Sequence, residues 1–283
     1  MVTRLEEILP HLDVRPLKTI SGKTIVLDAM SRLRENDFEL LLIEPQHGST
    51  EQRPLVISGY SIISNMMQLK PHDYASFLTS PCVESSLLVG TIGADQDILS
   101  LFHVFQSSTF GFALVHRKQG EAEKISVRDL LKLYRLGMFS SKLTALEIAT
   151  SPIFQLSRGS RLEEALKEMG RRKFRRIQIS GTRMIVSDKQ ILAYLFEQSR
   201  LEQISRSEKR LLDGTLEDLD LFESSWVDGS KPIPEVADLL SRKNNECILT
   251  DHGIVTPWDL TVKTWELGKL SMTEPSKIPD FGK

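Results

Sequence analysis

The 283-residue chain holds two cysteines, Cys82 and Cys247, far apart in sequence. Two such residues give neither a metal-ligand spacing nor a disulfide framework; they read as small buried hydrophobes in a reducing compartment. No apolar run reaches the ~18 residues that mark a membrane-spanning helix. The opening residues, MVTRLEEILPHLDVRP, are charged where a secretory signal would be apolar. Neither sign of charge is in excess: 36 Lys and Arg face 38 Asp and Glu, for a net charge of −2. A dedicated nucleic-acid-binding domain would usually be strongly basic. The six histidines are scattered and no HExxH pair occurs, so no metal site is expected. Walker A, GxGxxG and Gly-x-Ser-x-Gly segments are also missing, and no nucleophile has a base beside it. The expectation is a cytoplasmic protein that is not an enzyme.

What is present is a globular composition, 40% hydrophobic and 26% charged. The length suits roughly two domains of about 100–200 residues. Within it one pattern recurs four times. A strand-like run ends in Ser or Thr, and a helix-like run follows. The four are PLVIS-GYS-II ending at Ser58, EKIS-VRD-LL at Ser126, RMIVS-DKQ-IL at Ser187 and GIVT-PWD-LT at Thr256. Self-similarity with a period of roughly 60–70 residues means one supersecondary unit used four times.

The third repeat is the clearest. Ile153 to Leu156 reads as a short strand. Ser160 with Glu163 makes a capping box, and Leu162, Ala165, Leu166 and Met169 follow the i, i+3, i+4, i+7 spacing of a buried helix face. Phe174, Ile177 and Ile179 form a strand, Met184 to Val186 another, and Ser187 opens a last helix from Ile191 to Phe196. The unit is β-α-β-β-α, an α/β (α+β) fold class. The first repeat follows with Ile25, Ala29, Met30 and Leu33, then Leu40–Ile43 and Leu55–Ile57. The second has Ile98, Leu101, Phe102 and Phe105, then Phe112–Val115 and Lys124–Ile125. The fourth has Val236, Leu239 and Leu240, then Cys247–Leu249 and Ile254–Val255. Gly137 to Ser151 is the best linker between halves. The expected domains are 1–137 (repeats about 15–70 and 80–137) and 138–283 (repeats about 145–200 and 215–268). The tail after Leu270 carries two prolines and is expected to be extended or mobile.

The segment Gly253-Ile254-Val255-Thr256-Pro257-Trp258-Asp259 resembles the Gly-apolar-apolar-Thr-x-x-Asp end of the CBS domain, a family named for cystathionine β-synthase. The SRLEEALKEM helix and FRRIQI strand of the third repeat are similar to it as well. Four repeats in two pseudo-twofold tandem pairs resemble the regulatory gamma subunit of AMP-activated protein kinase and stand-alone archaeal proteins. The resemblance runs from about Arg15 to Leu267. It implies a binding module whose clefts hold AMP, ADP, ATP or S-adenosylmethionine as regulatory ligand, with no required cofactor. It also implies that the Asp accepts hydrogen bonds from ribose hydroxyls, that the Ser or Thr contacts phosphate, and that apolar residues such as Ile254 enclose adenine.

The residues alone also allow a plainer account. Thr256 is a good N-cap, Pro257 suits the first helical position and Asp259 the third. Ser187 with Gln190 is an equally good capping box. The third position separates the repeats. A carboxylate can accept from two vicinal hydroxyls at once, and charged acceptors make the stronger bonds. Asp129 and Asp259 qualify; Gln190 does so in part and Ser61 lacks reach. Ribose sites are therefore expected at Ser126–Asp129 and Thr256–Asp259, the latter ranked first. Phosphate needs cations, and the third repeat supplies Arg171, Arg172, Lys173, Arg175 and Arg176. Arg175 and Arg176 are adjacent on a strand and point to opposite faces. Arg128, Lys124 and His116 lie near the Ser126 end. The reading is a nucleotide sensor that modulates an effector protein, with a homodimer left open. Its rivals are a ligand-free scaffold for protein association and nucleic-acid binding through Arg171–Arg176.

Overall fold

The computed structural model describes residues 3–36, 40–44, 54–66, 68–108, 111–116, 122–172, 174–206, 212–242 and 245–273. The four-fold pattern becomes four small β-α-β-β-α units. In the third, helix Leu162–Arg172 buries Leu162, Ala165, Leu166 and Met169 and exposes Glu163, Glu164 and Lys167. Each fully buried Leu or Met of such a face contributes about 1.5–3 kcal/mol. Strands Arg176–Ile179 and Met184–Ser187 pair antiparallel, with Ile177 facing Val186, and Gln155–Leu156 joins in parallel at Gln178–Ile179. Helix Asp188–Leu195 then closes the unit.

The other repeats reuse the plan. Helices Val26–Glu35, Ile98–Ser107 and Ile233–Ser241 bury the apolar positions read from the sequence, although Leu239 is only partly buried. Ile25 is an extended N-cap outside its helix. Ser160 does not open the third-repeat helix, which starts at Leu162; its hydroxyl lies 3.1 Å from that of Ser157 in the preceding turn. A second helix, Gln198–Ser205, follows Asp188–Leu195.

A connector segment adds a fourth strand to three of the sheets and a single bridge to that of repeat four. Arg15–Pro16, ahead of repeat one, pairs with Glu123 and Lys124 of repeat two. Leu87–Leu88, ahead of repeat two, pairs with Leu55 and Val56 of repeat one. Phe222–Glu223, ahead of repeat four, pairs with Met184 and Ile185 of repeat three. Thr150, ahead of repeat three, bridges Ile254 of repeat four.

The chain folds into two compact units that do not follow its halves. One takes residues 17–89 and 154–223, that is repeats one and three; the other takes 1–16, 90–153 and 224–283, repeats two and four. The grouping has a physical cause. Each repeat leaves an apolar helical face that its own small sheet does not cover. In the one-three unit, helices Gly59–Met66 and Asp188–Leu195 pack so closely that a Cβ on Gly59 would lie 2.7 Å from Leu192 side-chain carbons. In the two-four unit, helix Leu131–Arg135 packs on Ile233–Ser241, and the Tyr134 hydroxyl donates to the Leu260 carbonyl at 2.6 Å.

Gly137 to Ser151 is not a free linker. Met138, Phe139, Ala145 and Ile148 are buried in the core of the two-four unit. Phe139–Ser140 pairs with Ser271–Met272, so the start of the expected tail is a strand; residues 274–283 lie outside those described. Both cysteines are buried, and neither forms a disulfide. Trp265 stacks on Phe102 with ring centroids 5.2 Å apart, as core packing predicts. Among the described residues no helix is long and apolar enough to cross a membrane.

Candidate functional site

The four strand-to-helix turns share one backbone plan: the residue three after the Ser or Thr turns its side chain back onto that residue. In repeat two, Asp129 Oδ2 accepts from the Ser126 amide at 2.7 Å and from its hydroxyl at 2.6 Å. In repeat four, Asp259 Oδ2 accepts from the Thr256 amide at 2.8 Å and its hydroxyl at 2.7 Å. In repeat three, Gln190 Oε1 accepts from both the amide and the hydroxyl of Ser187. In repeat one, Ser61 Oγ accepts from the Ser58 amide and donates to the Ser58 carbonyl, at 3.1 and 2.8 Å. An acid thus holds the third position in both turns of one unit, and an uncharged side chain holds it in both turns of the other.

The two acidic turns differ in exposure. Ser126 and Asp129 are half-buried. Asp259 is only 3% exposed. Its second oxygen accepts from the Thr150 hydroxyl at 2.9 Å and lies 3.8 Å from the Lys263 ammonium. Burial pushes the Asp259 carboxyl up from its ordinary value, against the hydrogen bonds from Thr256 and Thr150. After Trp258 the helix runs as a π-turn over Asp259–Lys263, a form often found at functional positions. The Thr264 hydroxyl bonds the Asp259 carbonyl at 2.9 Å. Ile254 is buried in its strand.

Arg175 and Arg176 belong to the one-three unit, and Thr256 and Asp259 to the other. Arg175 holds Asp188, which is 5% exposed: its Nε donates to Asp188 Oδ2 at 2.7 Å and its Nη2 bonds the same oxygen. Arg176 is half-buried at the start of its strand. Arg171 and Arg172 both bond Glu168, at 2.6 and 2.7 Å, and hold its carboxyl down at about 2. Arg172 also sits over the Phe154 ring, 4.4 Å from its centroid. Lys173 lies outside the described residues. Three cations of the basic run therefore have intramolecular partners.

Sequence reasoning missed Thr150; the Thr-Ser-Pro step before repeat three was its one visible signal. Arg128, read from the sequence as a cation near the Ser126 end, lies between Ser126 and Asp129 and binds backbone instead. Its guanidinium donates to the carbonyls of Asn245 and Arg242, at 3.1 Å each, and ties the repeat-two turn to repeat four. Among the described residues no cluster of three or more His, Cys, Asp or Glu could hold a metal.

No protein-family model matches the sequence, and no curated protein does. Solved structures do match. One, from Methanocaldococcus jannaschii, is described as a candidate archaeal homolog of g-AMPK; it has a TM-score of 0.77 and 16% identity over 93% of this chain and 100% of that one. An uncharacterized conserved protein from Pyrococcus horikoshii has a TM-score of 0.54 and 12% identity over 93% of this chain and 99% of its own. A CBS-domain protein from Agrobacterium tumefaciens aligns with 47% of this chain and 93% of itself, at 14% identity and a TM-score of 0.37. The chain has the four-repeat CBS fold.

Proposed function

We propose that this chain is a regulatory protein that binds an adenosine-containing nucleotide and passes its occupancy to a partner protein. The ligand class is AMP, ADP, ATP or S-adenosylmethionine. The observation that carries the reading is the half-buried Asp129, which faces its ordering partner Ser126 across a helix-opening turn. A half-buried carboxylate at such a turn suits a vicinal diol. The fold shared with a candidate homolog of g-AMPK supports the reading.

Asp129 leads Asp259 here, the reverse of the order expected from sequence. A carboxylate offers about four acceptor positions. At Asp259 the amide and hydroxyl of Thr256 and the hydroxyl of Thr150 take three, the Lys263 ammonium lies 3.8 Å away, and the residue is buried. Thr256, Ile254, Ser187, Arg175 and Arg176 are then supporting residues of the fold before they are ligand contacts. The exchange of connectors between repeats one and two, and between three and four, supports tandem pairs at 1–137 and 138–283.

Ligand binding regulates only if it differs between two states. A coupling of about 1–3 kcal/mol would change partner affinity roughly 5–150-fold. Calorimetric titration with the four ligands, on the wild type and on Asp129→Ala, tests the reading. Binding lost in the variant supports it; no heat with any of them at millimolar concentration leaves the ligand-free scaffold as the function. Nucleic-acid binding is the weaker reading, because Arg171, Arg172 and Arg175 are paired to carboxylates.

A further inference from the structure

Four connector residues take one seat on four sheets. Two positions before each Ser or Thr, the partner across the strand is Leu87 opposite Val56, Arg15 opposite Lys124, Phe222 opposite Ile185, and Thr150 opposite Ile254. Thr150 is the one hydroxyl residue of the four, and it reaches the carboxylate of its repeat, donating from Oγ1 to Asp259 Oδ1 at 2.9 Å.

The segment around it is firmly held. The Thr150 amide donates to the Ile254 carbonyl at 2.8 Å, and the Ile254 amide returns a bond to the Thr150 carbonyl at 3.1 Å. Ser151 Oγ donates to the His252 carbonyl at 2.7 Å. Lys263 Nζ donates to the carbonyls of Ile148 and Ala149, at 2.7 and 3.0 Å. Gly253 makes the close approach feasible: a Cβ there would lie 2.6 Å from the Thr150 carbonyl oxygen, a backbone atom that cannot swing away.

We propose that Thr150 is a lock on the repeat-four carboxylate. Its hydroxyl stands where a ligand hydroxyl would bind, and a vicinal diol reaches Asp259 only when residues 148–151 lift from strand Ile254–Val255. Opening has a second consequence. Lys263 loses its two carbonyl acceptors and becomes a cation beside the diol seat, suited to a phosphate. The lock therefore selects for a ligand carrying both groups, a nucleotide rather than a nucleoside. It also joins occupancy of repeat four to movement of the segment leading into repeat three. The ligand class rests on the function proposed above; the lock itself rests on the Thr150 contacts.

The test silences repeat two with Asp129→Asn and titrates AMP calorimetrically. Asp129→Asn alone is expected to bind AMP only weakly, in the millimolar range. Adding Thr150→Ala should restore binding, at least 10-fold tighter, and further Asp259→Asn should abolish it. Thr150→Ser, which keeps the hydroxyl, should stay closed. Equal AMP affinity with and without Thr150→Ala overturns the lock. Should Thr150→Ala not fold, hydrogen exchange at the Thr150 and Ile254 amides of the wild type decides: acceleration under millimolar AMP supports the lock, and unchanged protection overturns it. Failure of the lock is distinct from failure of the sensor reading. Wild-type binding through Asp129 with no gain from Thr150→Ala removes the lock alone. A gain that needs Asp259, in a protein where Asp129→Asn had changed nothing, removes the Asp129 assignment alone. No binding by any variant removes both.

Discussion

The two units use one backbone plan with opposite chemistry. The two-four unit places Asp129 and Asp259 at the third position of its turns, while the one-three unit places Ser61 and Gln190 there. All four side chains accept from the amide of the Ser or Thr that opens their turn, so capping does not require the acid. The one-three unit does own a buried carboxylate, Asp188, yet it sits beside Ser187 at the first helical position and is matched by Arg175. A carboxylate at the third position faces the turn; one at the first position here serves an ion pair. The difference teaches that position, not the count of acids, separates a candidate binding turn from a structural one.

The largest expected effect comes from breaking that difference in the two-four unit. Asp129→Ala should weaken AMP binding by at least 100-fold, read by calorimetry, with the melting temperature little changed because the residue is half-buried. Next is the ion pair of the other unit. Arg175→Met leaves the Asp188 carboxylate buried without its cation and should cost about 2 kcal/mol in denaturant unfolding, below the full range for a buried pair because Arg175 is 52% exposed. Asp188→Asn in the same background should recover most of the loss.

A third variant sharpens the comparison through pH. Burial raises the folded-state pKa of Asp259. Its protonated form is therefore favoured by folding, and its contribution is fully present below the ordinary carboxyl value. That contribution falls as pH rises through the raised one. Asp259→Asn should flatten this decline in unfolding free energy at pH above the ordinary carboxyl value; an unchanged slope would contradict the burial argument. The smallest effect is expected at Glu168, whose half-buried carboxyl is held low by Arg171 and Arg172. Its contribution is present above the ordinary value and is lost as pH falls through about 2. Glu168→Gln should alter the acid limb of a melting-temperature profile and nothing near neutrality.

The repeat itself was legible because its helices and strands carry clean periodicities: the faces at Ile98, Leu101, Phe102 and Phe105 and at Leu162, Ala165, Leu166 and Met169 are buried as read. Gly137–Ser151 was misread because it has no period; its Met138, Phe139 and Ile148 are buried singly by tertiary packing. The grouping of repeats was hidden for the same reason, since contacts such as Gly59 with Leu192 join positions far apart in the chain. At the candidate site, the capping contacts of Asp129 and Asp259 followed from the Ser/Thr-x-x-Asp spacing. The shielding of Asp259 by Thr150 did not, because the signal lay in a connector outside the repeat. Of the two adjacent candidates, Arg175 and Arg176, the first is paired to Asp188, a contact that the spacing of the basic run does not reveal.

The most direct measurement is a calorimetric titration of AMP against wild type, Asp129→Ala and Gln190→Asp. The account predicts binding to the wild type, loss in Asp129→Ala, and at most a weak new site in Gln190→Asp. Full wild-type affinity in Asp129→Ala would contradict it.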